Sequence, residues 1–462
     1  MDDTAPPSLD TVPPSYLGQS DIAIGLDDGD ADLPSYTQSQ QPSEAGQILQ
    51  LETKDFDYKL EKNGEPFLTL TLSGNKSFSS VMAAFLEGFP VKGKVSIETG
   101  DPQSITAVVL SVKGLLVTGG ANFDGYTFVF LDQDRTLWPQ EAAQDKTVIT
   151  GSSVLPFSFD LPEEVPMVEK KGQAPKMFRL PQTFNQRFTH ATIKYDILVK
   201  LVRKGFLRSN DALSAPFAFI PLTTPPPLPP LRRLAYQEGT PLLGPKVDPD
   251  GWHHNDSVQI QGVLFNNQSA KVECKLFLSK PLSYTRGSII PLCMTLESDD
   301  KHALDLLSAP KSIAVRVRRR IRYAPTPQKL FEASNWRDEV DHSQRAVWWP
   351  ATNSAGEVSQ ERFRILNGEL HLKPIMTPTS TMGMYKLEYS VVLLPFDSPG
   401  FKPVGREDHV KDHVLLEQPI TIVTAYAPGP RPRATTPANY EPDAKRKADE
   451  LQTDGEFSRG FY

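Results

Sequence analysis

Between residues 51 and 426 the chain is written in short runs that alternate apolar and polar residues, each broken by turn-forming residues. The run "TIKYDILVKLVRKG" places Ile193, Tyr195, Ile197, Val199 and Leu201 at every second position. A period of two puts such residues on one face of an extended strand, whereas a helix would scatter them around its circumference. The segments "KVSIETG", "SITAVVLSVKGLLVTG", "GYTFVFLD" and "SVLPFSFDLP" read the same way, being alternating or rich in β-branched and aromatic residues. "FSSVMAAFLEG" suits either a short helix or a strand. Short strands at this spacing predict an all-β fold built as an antiparallel sandwich.

One stretch interrupts the pattern. "PLTTPPPLPPLRRL" is too rich in proline for a central strand or a helix interior, and is expected to run as an extended polyproline II spacer. After it the strand pattern resumes in "VQIQGVLF", "KVECKLFL", "SIIPLCMTLES", "KSIAVRVRRRIRY", "ERFRILNGELHL", "MYKLEYSVVLLP" and "HVLLEQPITIVTAY". In "KVECKLFL", Val272, Cys274, Leu276 and Leu278 share a face, which predicts a core thiol at Cys274. The polar segment between Tyr323 and Val347 is expected to be loop or partly helical. The predicted organisation is therefore a disordered acidic tail at 1–50, a β-sandwich at 51–222, a Pro-rich linker at 223–255, a second β-sandwich at 256–426, and a disordered tail at 427–462. Both tails lack the apolar residues needed to offset the entropy of ordering.

Charge separates head from body. Residues 1–50 hold nine acids and no lysine or arginine; removing those nine from 56 leaves 47 acids against 49 bases. An acidic head on a near-neutral body argues against nucleic-acid binding, which calls for a basic domain or stripe. Two cysteines in 462 residues make no disulfide framework and point to a reducing compartment. The first residues, "MDDTAPPSLD", lack the features of a signal peptide, and no apolar run is long enough to span a bilayer. Any membrane association is then expected to be peripheral.

Catalytic signatures are sparse. "GFPVKGKV", Gly88 to Val95, matches the start of a P-loop, but Val95 stands where the magnesium-binding hydroxyl belongs and a strand follows where a helix is needed. His409 and His413 are four apart with no neighbouring Cys or third His to complete a site, and no G-x-S-x-G nucleophile elbow occurs. No catalytic residue, metal site or cofactor is expected. A hydrolase on a β-sandwich is the remote alternative.

Three motifs point instead to binding. In "IAVRVRRRIRY", Arg316, Arg318, Arg320 and Arg322 fall on one strand face, a strip suited to acidic lipid headgroups or a phosphorylated partner, or else to cross-strand carboxylates. Arg319 falls on the opposite, apolar face, which suggests a bulge there. In the linker, Pro227, Pro230 and Arg232 fit the P-x-x-P-x-Arg pattern of SH3 ligands. In the head, Pro13, Pro14 and Tyr16 form a PPxY, followed by the variant Leu33, Pro34, Tyr36. A PPxY peptide presents a polyproline II turn to the aromatic groove of a WW domain, with the prolines lowering the ordering cost. The twenty residues between the tyrosines span roughly 25 Å as a flexible chain, enough for two WW domains of one partner to engage together.

Two consecutive sandwiches with a PY-bearing tail resemble the arrestin fold, specifically the α-arrestins, or arrestin-related trafficking adaptors. The local matches are "FPVKGKVSIETG", "SSVLPFSFDLPEEVP", "RLPQTF" and "ATIKYDILVKLVRKGFLRSNDALSAPFAFIP" in the first sandwich, and more loosely "FLSKPLSYTRGSIIPLCMTLES" in the second. The resemblance implies a non-enzymatic adaptor that recruits a WW-domain HECT-type ubiquitin ligase to membrane transporters or receptors for ubiquitylation and endocytosis. It also implies a cytoplasmic protein recruited to plasma membrane and endosomes. The ligase contacts would be Pro13, Pro14 and Tyr16, with Leu33, Pro34 and Tyr36 secondary. This chain departs from many members in placing its PY motifs before the sandwiches. An arrestin-like signalling or endosomal sorting scaffold, unconnected to a ligase, is the alternative.

Overall fold

A computed structural model describes residues 52–440, apart from 77, 100–104, 120–124, 139–148, 150, 170, 187–188, 204–209, 327–328, 330, 352–360 and 405–412. The described chain is mostly β. Its first half contains β1 (Thr53–Lys62), β2 (Glu65–Asn75), β3 (Ala84–Leu86), β4 (Val91–Thr99), β5 (Ile105–Thr118), β6 (Tyr126–Trp138), β7 (Gly151–Phe159), β8 (Glu164–Met167), β9 (Lys176–Arg179), β10 (Ala191–Arg203) and β11 (Asp211–Ile220). These form one sheet in the order β1-β2-β4-β7, a second in the order β3-β11-β10-β5-β6, and the small pair β8-β9.

After helix α1 (Pro230–Glu238) come β12 (Trp252–His254), β13 (Val258–Leu264), β14 (Gln268–Ser279), β15 (Ser283–Thr285) and β16 (Ile289–Glu297). Helix α2 (Lys301–Leu307) precedes β17 (Val315–Tyr323), β18 (Arg337–Arg345), β19 (Val347–Pro350), β20 (Phe363–His371), β21 (Tyr385–Leu393), β22 (Phe401–Pro403) and β23 (Leu416–Val423). One sheet runs β19-β20-β16-β14-β13-β22, with β12 beside β14; the other runs β15-β23-β21-β17-β18.

The two halves repeat one topology. In each, a five-stranded sheet has a short edge strand, β3 or β15, paired in parallel with the half's last strand, β11 or β23. The neighbouring order also corresponds: β1-β2-β4-β7 in the first half matches β13-β14-β16-β20 in the second. Apolar faces of all four large sheets contribute to a single buried cluster that runs from Phe56 to Ile422.

Period-two patterning is the local cause. Along β10, Ile193, Tyr195, Ile197, Val199 and Leu201 are buried while Lys194 and Lys200 are exposed. Along β14, Val272, Cys274, Leu276 and Leu278 are buried as the alternation predicts. Neither cysteine forms a disulfide, both are buried, and burial pushes the Cys274 thiol up to about 12. We expect a thiol-specific reagent at pH 8 to leave the native chain unlabelled and to titrate both cysteines once denaturant unfolds it. Fast labelling of either thiol in the native chain would contradict this packing.

Three expectations are corrected. The Pro-rich linker is extended only as far as Pro229; Pro230 then opens α1 and Gly239, at φ 68°, closes it. A proline at the first helical position and a left-handed glycine after the last one are the ordinary signals of such a helix. The segment between Tyr323 and Val347, expected to be loop or partly helical, holds one short 3-10 turn at Ala333–Asn335, but Arg337–Arg345 forms β18 on the edge of its sheet, antiparallel to β17. The end of the second half runs on in described residues 427–440, where Thr435 and Thr436 are hydrogen-bonded to Glu369. In the ambiguous "FSSVMAAFLEG", the outcome is the strand β3.

Gly93 explains the P-loop-like spelling in packing terms. It lies in β4 between Leu72 of β2 and Phe157 of β7, and a Cβ there would overlap the carbonyl of Thr71 and sit 2.7 Å from the Phe157 ring. The glycine admits close backbone and ring approach within a sheet. Gly93→Ala should therefore lower unfolding stability by about 2–3 kcal/mol, read as a shift in the denaturant midpoint.

Candidate functional site

The basic strand β17 sits between β18 and β21, with its ladder to β21 unbroken from Val315 to Tyr323. The irregularity lies on the β18 side, between Arg316 and Val317, so the bulge expected at Arg319 is not there. Strand alternation places Arg316, Arg318, Arg320 and Arg322 on one face, half-buried. Acids from the neighbouring strands meet them. Arg318 Nη1 donates to Glu417 Oε2 at 3.0 Å, and Arg320 Nη2 to Asp338 Oδ2 at 2.6 Å. Arg322 Nε lies 3.4 Å from Asp338 Oδ1, and its guanidinium stacks 5.4 Å over the Trp336 ring. The strip is thus charge-paired at three of its four positions. Partly exposed pairs contribute only about 0–1 kcal/mol each, so an incoming polyanion could displace the carboxylates at small cost.

Arg319 points the other way, into the seam between the two halves. Its Nε and Nη2 donate to Asp341 Oδ2 at 2.8 and 2.5 Å, and Nη1 donates to Gln186 Oε1 of the first half at 2.7 Å. Burial alone would lower the Arg319 pKa, but the Asp341 charge outweighs it and the guanidinium is held above its ordinary value. A second buried guanidinium, Arg286, donates to Gln182 Oε1 at 3.1 Å and to the Met376 carbonyl at 3.3 Å. Burial drives its pKa down to about 10, partly opposed by Tyr389. Glu339 Oε1 accepts from the His190 backbone N–H at 3.1 Å and from the Tyr323 hydroxyl at 3.1 Å, and lies 2.9 Å from His190 Nδ1. Phe184 meets Tyr385 across the same seam, with ring centroids 5.9 Å apart. Gln186, His190 and Phe184 thus meet β17, β18 and β21 respectively. Of these residues only Arg319 was flagged by sequence, as an arginine on the wrong face; Gln182, Gln186 and Arg286 carry no local signal.

A second junction joins the ends of β11 and β23. Thr223 N donates to Thr424 Oγ1 at 2.8 Å, and Thr424 Oγ1 donates to the Pro221 carbonyl at 2.7 Å. Beside it, the Pro-rich segment and residues 426–432 wall a cavity of about 230 Å³ together with Arg232, Tyr236 and Tyr284. Here the SH3-ligand reading fails on geometry. An SH3 ligand presents an extended, accessible arginine, but Pro230 starts α1 and Arg232 is 2% exposed, stacked 4.6 Å over Trp252.

The candidate WW ligands Pro13, Pro14, Tyr16, Leu33, Pro34 and Tyr36 lie outside the described residues, as does His409. Among the described residues, no group of three or more His, Cys, Asp or Glu could hold a metal ion, and no helix is long and apolar enough to cross a membrane. No family model matches the chain, and no curated protein matches it.

Proposed function

We propose that this chain is a non-enzymatic adaptor whose body is a tandem of arrestin-type β-sandwiches. Its acidic head recruits a WW-domain HECT-type ubiquitin ligase and brings it to cytoplasmic segments of membrane transporters or receptors, promoting their ubiquitylation and endocytosis. The observation that carries the reading is the PPxY of Pro13, Pro14 and Tyr16, in a lysine-free acidic head, ahead of a β body that uses one strand order twice. A body of this kind offers broad sheet faces to a large partner, while the head offers a short peptide to a small domain; one binds cargo and the other binds the ligase. The outward guanidinium groups of Arg320 and Arg322 on β17 supply a surface for acidic headgroups or phosphorylated cargo. The protein then works in the cytoplasm and at the faces of plasma membrane and endosomes.

Proximity labelling in cells tests the reading. The full chain should label a WW-domain ubiquitin ligase and integral membrane proteins, and the Tyr16→Ala/Tyr36→Ala variant should keep the membrane proteins while losing the ligase. If transporter turnover continues unchanged in cells carrying that variant alone, the chain acts as a signalling or sorting scaffold instead.

A further inference from the structure

Residues 426–440 form a strap whose far end is tied to a buried carboxylate. Glu369, in β20, is only 1% exposed. Its Oε1 accepts from the Thr435 backbone N–H and from Thr435 Oγ1, both at 2.6 Å, and its Oε2 accepts from Thr436 Oγ1 at 2.5 Å. His371 Nε2 lies 3.3 Å from Oε2. Burial would raise this carboxyl, but the bonds from His371, Thr435 and Thr436 outweigh it and hold it below the ordinary value. The strap's near end, from Tyr426 through Pro432, walls the cavity beside Arg232, and Arg431 stacks 4.7 Å over Tyr426.

Thr436 precedes Pro437 and follows Arg431 and Arg433, in "RPRATTP". It is half-buried, and its neighbour Thr435 is exposed. Of the other Ser/Thr-Pro positions in the body, Thr377 and Ser398 are buried and Thr224 and Thr240 are exposed; Thr326 is half-buried like Thr436, but its backbone N–H and carbonyl are held by the Asn335 side chain. The hydroxyl of Thr436 instead ends on a buried anion. Pro428, Pro430, Pro432 and Pro437 have no N–H to give, so the far end of the strap depends on its bonds to Glu369.

We propose that Thr436 is a phosphorylation site and that its modification releases the strap from β20, uncovering Glu369 and the cavity beside Arg232. A proline-directed protein kinase would transfer the γ-phosphoryl group of ATP to Oγ1. The Oγ1–P bond forms as the bond from the γ-phosphorus to the bridging oxygen breaks; ADP leaves, and the hydroxyl proton passes to the kinase's base. The product carries about −1.5 to −2 charges in place of a donor proton. The lost donor and like-charge repulsion both oppose its return to the desolvated Glu369 carboxylate, and the imidazole of His371, 3.4 Å from Thr436 Oγ1, is shared with Glu369 Oε2 at 3.3 Å. The inference stands on the strap's geometry and does not depend on the adaptor reading.

The test treats the folded full chain with a proline-directed kinase and Mg-ATP, maps the phosphate by mass spectrometry, and follows amide hydrogen exchange. Phosphorylation at Thr436 should speed exchange of residues 427–440 by about tenfold or more, and leave β10 and β14 unchanged. Glu369→Gln removes the repelling charge, so phosphorylation of that variant should speed exchange less than in the wild type. Thr436→Ala should abolish the kinase-dependent change. No phosphate on Thr436 of the folded chain, when the kinase modifies the denatured chain there, would overturn the site. Phosphorylation with unchanged strap exchange, or an equal response in Glu369→Gln, would overturn the release mechanism.

Discussion

Replacing Tyr16 and Tyr36 together by alanine is expected to weaken capture by a tandem WW-domain ligase fragment by a hundredfold or more, about 3 kcal/mol. In the proposed complex each tyrosine would fill a pocket of a WW domain, so truncation would remove the anchor while the prolines remain. The two changes should not be equal. The Tyr16 motif has both prolines, whereas leucine stands at position 33. Tyr16→Ala alone should therefore cost about tenfold, and Tyr36→Ala less, the remainder being avidity lost when only one peptide can bind. Titration of the full chain against immobilised tandem WW domains, at matched salt, reads all three values. Capture that is unchanged in the double variant would remove the ligase link from the proposed function, while leaving the fold and the strap inference untouched.

Asp341→Ala should be the most damaging single change at the seam between the halves, lowering unfolding stability by about 2–3 kcal/mol. That sits at the low end for broken buried pairs, because about a third of the Asp341 side chain is exposed. The loss comes less from the missing bond than from the Arg319 guanidinium left behind, its side chain 13% exposed. Arg319→Met removes the charge itself and keeps most of the stem volume, so it should cost clearly less. The double variant should then be no worse than Arg319→Met alone, a strong coupling between neighbouring sites. Denaturant midpoints of the four proteins decide this. If the two single changes cost the same and add in the double, the pair is not the coupled unit its geometry describes.

The legible part of the fold was the part written in local periodicity. β10 and β14 could be drawn from sequence because every second residue is apolar and those residues are the buried ones. β18 could not, since "RDEVDHSQR" has no apolar face. It is a strand because β17 supplies a ladder and cationic partners such as Arg320 for Asp338. α1 was hidden by the prolines before it, although Pro230 and Gly239 mark both its ends. The four outward arginines were placed correctly on one face, but their carboxylate partners come from β18 and β23, which no local rule connects to β17.

What the sequence by itself determined is everything whose cause lies within a few residues: strand faces, the core position of Cys274, the acidic head, and the peptide motif at Pro13, Pro14 and Tyr16. The tertiary structure alone decided the repeated strand order, the pairing of Arg319 with Gln186 across 133 positions, and the closure of Thr436 on Glu369 across 67. The physical reason is one of range. Side-chain alternation is set by backbone geometry and needs no partner, whereas a buried charge is tolerated only where the fold delivers its complement from a distant strand. Arg319 illustrates both: its position in β17 sends it inward, and only the seam makes that position tenable.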